Sequence, residues 1–186
     1  TDDPDGIMAS LLEGLTFGAG DAVLRLNPVD DSVESVRRVL DRFQEIKTRW
    51  DIPTQICVLA HVTTQMEAIR QGANASMIFQ SISGSEKGLS EFGVSVGLLD
   101  EAYDLAGHYC QAAGPNVMYF ETGQGSALSA DAHYGCDQVT MEARRYGLAP
   151  RHQPVMANTL VGLLGPDTLY NTPQIITPAP SHHFLG

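Results

Sequence analysis

Short apolar runs recur along the chain, and each run ends in polar residues. Runs of four to eight residues that are rich in β-branched and aromatic side chains are typical of buried strands. The runs predict five strands and a weaker sixth: Ala22–Asn27, Gln55–His61, Ser76–Ser81, Val117–Glu121, Pro154–Thr159 and Gln174–Thr177.

The segments between these runs have the spacing of helices. In Ser32–Trp50, the clearest, apolar residues recur three or four positions apart, and Asp31 or Ser32 can cap the first turn. The other predicted helices are Asp5–Phe17, Thr64–Gln71, Ser95–Ala112 and Asp137–Tyr146. Parallel neighbours need crossover connections, so strands that alternate with helices predict an α/β fold with a parallel sheet.

The ends of the predicted strands favour a barrel over an open sheet. Neither GxGxxG nor GxxxxGK[ST] occurs, and several different strands end in polar side chains, as at the C-terminal face of a (β/α)₈ TIM-type barrel. Such a barrel needs about 250 residues. We therefore expect residues 1–186 to be an incomplete barrel of five or six parallel strands, lacking N-terminal and C-terminal portions.

Composition narrows the function classes. The net charge of −11 disfavours nucleic-acid binding, and no apolar run approaches the length of a membrane span. The N-terminus lacks the pattern of a signal peptide, so a cytoplasmic protein is expected. Cys57, Cys110 and Cys136 are odd in number and lack CxxC spacing, which indicates reduced thiols.

Glu121 is the strongest candidate for chemistry. It ends an apolar run and is followed by a Gly-rich loop, in the sequence VMYFETGQGSALS. A carboxylate buried at a barrel mouth costs several kcal/mol unless a cation or a hydrogen-bond network compensates it. A bound ammonium group would do so, and so would an ion pair with a lysine or arginine.

Other strand ends carry weaker candidates, each with a structural alternative. Asn27, before Pro28, suits a substrate with two polar groups but also suits a turn. Gln80 and Ser81 require hydrogen-bond partners, which either a ligand or the backbone can supply. His61 fits a hydrogen-bonded core or rim histidine better than a metal ligand, because no second His or carboxylate stands at metal-ligand spacing near it.

Several segments together resemble the large subunit of ethanolamine ammonia-lyase. The likeness covers nearly the whole chain, and the block Met118–Ala149 is the most specific part. The other segments are RLNP (Arg25–Pro28), PTQICVLAH (Pro53–His61), IFQSISGSE (Ile78–Glu86) and GPDTLYNTPQII (Gly165–Ile176).

The resemblance implies a radical enzyme that uses adenosylcobalamin to convert ethanolamine to acetaldehyde and ammonia. It also implies a (β/α)₈ barrel and a hetero-oligomer with a small subunit, either free in the cytosol or inside a bacterial microcompartment. By matching motif, Glu121 would face the substrate amino group and Asn27 would bind substrate. The residues expected at the cobalamin or its adenosyl group are Pro28, Gln80, Ser81, Glu91 and Ser129.

The chain also departs from the family pattern. Family members carry a substrate-binding arginine and glutamine before the matched region, and a substrate-binding aspartate and a further cobalamin contact after it. The usual GFIGPE motif reads GLLGPD here, so Leu163 replaces an aromatic wall of the active site. We therefore expect the chain alone to be inactive.

Two alternatives to this function remain open. One is a metal-dependent barrel lyase or aldolase that uses Glu121 and His61 and requires Mg²⁺ or Zn²⁺. The other is a non-catalytic remnant that acts only in assembly, in which Glu121→Gln would change no ligand affinity.

Overall fold

The computed structural model of the protein describes residues 3–17, 23–28, 30–122, 136, 138–158 and 175–178. Helices and strands alternate along most of these residues, which confirms the α/β class. In chain order the elements are α1 (Pro4–Thr16), β1 (Val23–Leu26), α2 (Val33–Arg49), β2 (Gln55–Val58), α3 (Val62–Arg70), β3 (Ile78–Ile82), α4 (Glu86–Glu91), α5 (Val96–Tyr109), β4 (Met118–Thr122), α6 (Gln138–Leu148), a 3₁₀ turn (Ala149–His152), β5 (Val155–Asn158) and β6 (Ile175–Pro178).

The predicted elements are all present, with ends that differ by three residues or fewer. The helix α2 shows why the spacing of apolar residues predicted these elements. Ser32 caps it, since its hydroxyl accepts a hydrogen bond from the Ser35 amide at 3.2 Å. The apolar face predicted from the spacing is buried, including Val36, Leu40 and Phe43. Burial of that face holds the helix in place, since propensity alone is a weak determinant.

Backbone pairing among the described residues forms two sheets. The first contains β1 and β2, which are parallel, and the second has the order β3, β4, β5, β6. In the second sheet β4 and β5 are parallel, whereas β5 and β6 are antiparallel. The expectation that the sixth strand is parallel is therefore wrong. Apolar pattern locates a strand but not its direction, and no helical segment was predicted between Pro154–Thr159 and Gln174–Thr177 to serve as a crossover.

The chain divides into two compact units. The first comprises Thr1–Phe79 and Asp104–Val117, and the second comprises Gln80–Tyr103 and Met118–Gly186. The first sheet belongs to the first unit, and β4, β5 and β6 belong to the second. Within the described ranges, each helix is too short or too polar to cross a lipid bilayer.

In the first unit, side-chain and backbone hydrogen bonds join β2 and the residues that follow it to β3 and the residues that precede it. The buried Gln65 amide donates to the Ala60 carbonyl at 2.6 Å and to the Phe79 carbonyl at 2.8 Å, and its oxygen accepts from the Phe79 amide at 2.9 Å. The Ser76 amide donates to the Ile56 carbonyl at 2.9 Å, and the Ser76 hydroxyl accepts from the Ile56 amide at 3.1 Å. We call these three Gln65 bonds the glutamine bridge. They provide hydrogen-bond partners for the backbone groups of Ala60 and Phe79, a task that β-strand pairing usually performs.

Candidate functional site

Glu121 lies near the C-terminal end of β4 and is half-buried. The hydroxyl of Tyr119, which is fully buried, donates to Glu121 Oε1 at 2.6 Å. Residues two apart on a strand project from the same face, so the strand itself brings these two side chains together. A distance of 2.6 Å is typical of a hydroxyl that donates to an ionised carboxylate.

The opposite face of β4 is packed against an aromatic cluster. Phe120 lies edge-on to the ring of His152, with the ring centroids 5.7 Å apart, and Tyr103 of α5 meets the same imidazole edge-on at 5.7 Å. His152 is completely buried in the 3₁₀ turn. Phe120 therefore anchors β4 from one face while Tyr119 and Glu121 meet on the other.

His152 is held by a carboxylate on α5. Its Nε2 lies 2.8 Å from Asp100 Oδ1, and Arg151 binds the same carboxylate with two bonds of 2.6 Å. The hydrogen bonds from Arg151, and then the one from His152, lower the pKa of Asp100 to about 2. This cluster was not predicted from the sequence, because the aspartate lies about fifty positions before its partners and no local motif links them.

Gln80 and Ser81 lie in β3, at the residues expected from the sequence. Gln80 is buried, and its amide nitrogen donates to the Ser81 carbonyl at 3.0 Å. Ser81 is half-buried. The backbone thus supplies one of the partners that the buried amide requires, which was the structural alternative for this residue.

The turn after β3 is tightly packed and leads into α4. Ser85 caps that helix by accepting from the Gly88 amide at 3.0 Å. A Cβ atom on Gly84 would lie 2.2 Å from the carbonyl oxygen of Met141 in α6, so the turn has room for glycine alone at this position. Glu91 is the last residue of α4 and is exposed.

Asn27 and Pro28 belong to the first unit and directly follow β1. Asn27 is exposed, and Pro28 is half-buried. The carbonyl of the preceding Leu26 accepts from the Leu59 amide at 2.7 Å, so pairing between β1 and β2 continues to the residue before Asn27. The amide side chain thus follows directly from a fixed strand end, as the sequence predicted.

His61 has a structural role as the N-cap of α3. Its Nδ1 accepts from the Thr63 amide at 3.3 Å and lies 2.7 Å from the Thr63 hydroxyl. This arrangement supports the interpretation of His61 as a hydrogen-bonded core or rim histidine.

Cys57, Cys110 and Cys136 are all free thiols, as expected. Burial raises the pKa values of Cys57 and Cys110 to about 12, which keeps both thiols protonated at neutral pH.

Two residues singled out in the sequence, Ser129 and Leu163, lie outside the described residues. Of the remaining candidates, Gln80, Ser81, Glu91 and Glu121 belong to the second unit. Tyr119 was not predicted, although the two-residue period of the predicted strand could have indicated its side chain beside that of Glu121.

Comparison with known proteins gives matches over the whole chain. The sequence model of the family Ethanolamine ammonia lyase large subunit (EutB) matches residues 1–186. The ethanolamine ammonia-lyase large subunit of Salmonella typhimurium is 58% identical over 185 residues, and that of Escherichia coli K12 is 57% identical over 185 residues. The matches cover 100% of this chain but 41% of each relative.

Proposed function

The chain belongs to the family of ethanolamine ammonia-lyase large subunits, and on that premise we propose that it forms part of an enzyme that deaminates ethanolamine to acetaldehyde and ammonia. Glu121 would bind the substrate amino group, and Asn27 would bind the substrate through its amide. The observation that carries this proposal is the Glu121 carboxylate, half-buried at the end of β4 and fixed by the Tyr119 hydroxyl.

The chemistry of the substrate suits these two side chains. Ethanolamine carries an ammonium group at neutral pH, and a carboxylate in a partly desolvated position gains more from such a cation than it would in water. A hydrogen bond between charged groups contributes about 1.5–3 kcal/mol. The Asn27 amide can donate and accept together, which matches a substrate that has both a hydroxyl and an amine.

Adenosylcobalamin is the cofactor of the proposed reaction, and when bound it supplies the radical that starts the hydrogen abstraction. Uncharged amide and hydroxyl groups suit a ligand with many amides and a ribose, and Gln80 and Ser81 supply such groups in β3. They would hold the cofactor together with Pro28, Glu91 and Ser129. The residues of the chain would keep substrate and cofactor aligned and would exclude water.

We further propose that the chain supplies part of a (β/α)₈ barrel that works with a small subunit. Support comes from the alternation of strands and helices and from the parallel pairs β1–β2 and β4–β5. Because the chain spans 41% of the length of its relatives, we expect the isolated chain to produce no acetaldehyde with ethanolamine, adenosylcobalamin and small subunit. Turnover by the isolated chain would contradict that expectation.

The central test is Glu121→Gln in the full-length large subunit that carries this segment, assembled with the small subunit. Loss of one charged hydrogen bond predicts a fall in kcat/KM for ethanolamine of about 10- to 100-fold. Glu13→Gln, at an exposed position on α1, is the control and should keep full activity. An unchanged kcat/KM in Glu121→Gln would refute the role of Glu121.

Cofactor dependence separates this proposal from a metal-dependent lyase. Acetaldehyde formation should require adenosylcobalamin and should persist after treatment with a chelator. Activity that is lost on chelation, restored by Mg²⁺ or Zn²⁺, and indifferent to cobalamin would favour the metal enzyme instead.

A further inference from the structure

The hydrogen bond between Tyr119 and Glu121 joins one rigid and one flexible side chain. The tyrosine is fully buried and has two side-chain torsions, whereas the glutamate is half-buried and has three. A glutamate near the end of a strand can therefore point in several directions unless another group selects one of them. The phenol oxygen, 2.6 Å from Oε1, is such a group.

The position of the phenol is itself fixed by the strand. Tyr119 pairs with Val155 of β5 and Glu121 pairs with Ala157, so the backbone on both sides of the bond lies in the parallel ladder. Phe120, between them, is held from the other face by its contact with His152. The position of the Tyr119 hydroxyl is therefore fixed, and its hydrogen bond orients the Glu121 carboxylate.

We propose that Tyr119 is a positioning residue that orients the Glu121 carboxylate for the substrate ammonium group. This inference rests on the proposed function of Glu121 as the amine-binding residue. The hydroxyl uses one acceptor site of Oε1, and a carboxylate offers about four such sites, so the same group can accept from tyrosine and from an amine. A donated hydrogen bond also stabilises the ionised carboxylate, which is the form that binds a cation.

The test is Tyr119→Phe in the full-length large subunit assembled with the small subunit. Ethanolamine binding is measured by calorimetry without cobalamin, and KM and kcat are measured with it. Loss of the positioning bond predicts an increase of about tenfold in both Kd and KM, with a smaller change in kcat. Tyr103→Phe removes the same atom from a half-buried tyrosine of the same unit and should leave Kd and KM unchanged.

A double-mutant cycle separates positioning from a merely structural effect. In a Glu121→Gln background, adding Tyr119→Phe should change Kd by less than about twofold, because the proposed effect of Tyr119 on binding passes through the Glu121 carboxylate. Glu121→Asp keeps the charge but withdraws the carboxylate from the phenol, so it should weaken binding about as much as Tyr119→Phe. It also serves as the second variant if Tyr119→Phe proves poorly folded.

The outcomes are distinct. If Glu121→Gln weakens binding but Tyr119→Phe matches Tyr103→Phe, or if the two effects multiply in the double variant, positioning by Tyr119 is wrong while amine binding by Glu121 stands. If Glu121→Gln binds ethanolamine as tightly as the parent protein, the proposed function of Glu121 itself fails.

Discussion

The glutamine bridge makes Gln65→Leu the most informative change for the stability of the fold. Leucine is close to glutamine in size and is apolar, so the substitution keeps the buried volume of α3 and removes the three bonds to Ala60 and Phe79. The perturbation is thus confined to hydrogen bonding between the ends of two strands.

The expected loss of stability in Gln65→Leu follows from these three hydrogen bonds. Each neutral hydrogen bond contributes about 0.5–1.5 kcal/mol net, so the loss of three predicts a destabilisation of roughly 1.5–4.5 kcal/mol. The Phe79 amide donates directly to the Gln65 oxygen, so it should report the change locally. A loss of about 1.4–2.8 kcal/mol at this site corresponds to exchange of the Phe79 amide that is 10- to 100-fold faster.

Hydrogen exchange resolved by peptide or by residue checks this expectation in the full-length subunit. Gln71→Leu is the matched control, since Gln71 is exposed at the end of α3, where its side chain donates to Glu67 and accepts from Arg37, and it makes no bond to Ala60 or Phe79 in the glutamine bridge. Exchange at Phe79 should be unaffected in that variant. If Gln65→Leu leaves exchange at Phe79 as slow as in the parent protein, the bridge does not stabilise the junction of β2 and β3.

Two further changes test other features of the second unit. Asp100→Asn should lower the melting temperature at pH 5 and above. Hydrogen bonds from Arg151 lower the pKa of Asp100 from 3.8 to about 2, so the ionised carboxylate stabilises the folded protein above about pH 4. That stabilisation is lost as the pH falls towards 2, where the melting temperatures of the variant and the parent protein should converge. A difference that persists unchanged at pH 2 would contradict the assignment. Gly84→Ala would place a Cβ 2.2 Å from the Met141 carbonyl and should destabilise the protein by about 1–3 kcal/mol in denaturant titrations. Gly114→Ala meets nothing within 4 Å and should change stability little; equal effects of the two substitutions would refute the steric argument.

Local pattern was sufficient for most elements of the fold. The helix α2 and the strand β4 were predicted within two residues at each end, because their apolar faces are buried in the way that their spacing indicates. The position of Glu121 near the end of β4 followed from the same strand prediction. These features depend on residues that are close in sequence, so they can be predicted from one amino-acid sequence.

Features that depend on distant partners could not be predicted. The direction of β6 depends on how the chain returns to β5, and the apolar run gives no information about that. The Asp100–His152 pair joins α5 to the 3₁₀ turn, and the bonds of Gln65 reach Phe79 across fourteen positions. For Asp100 and Gln65 the sequence showed a polar residue but not the group that it contacts.

The glutamine bridge also has a consequence for how this part of the protein can vary. Strand ladders use peptide groups, which every residue except proline carries, so a ladder tolerates many changes of sequence. At the junction of β2 and β3 the three bonds to the backbone of Ala60 and Phe79 come from a single amide side chain, at Gln65. A single nucleotide change can turn this glutamine into lysine, glutamate or histidine, and would therefore remove or alter these hydrogen bonds. Strand pairing elsewhere in the sheets does not have this sensitivity, because its hydrogen bonds are made by the backbone.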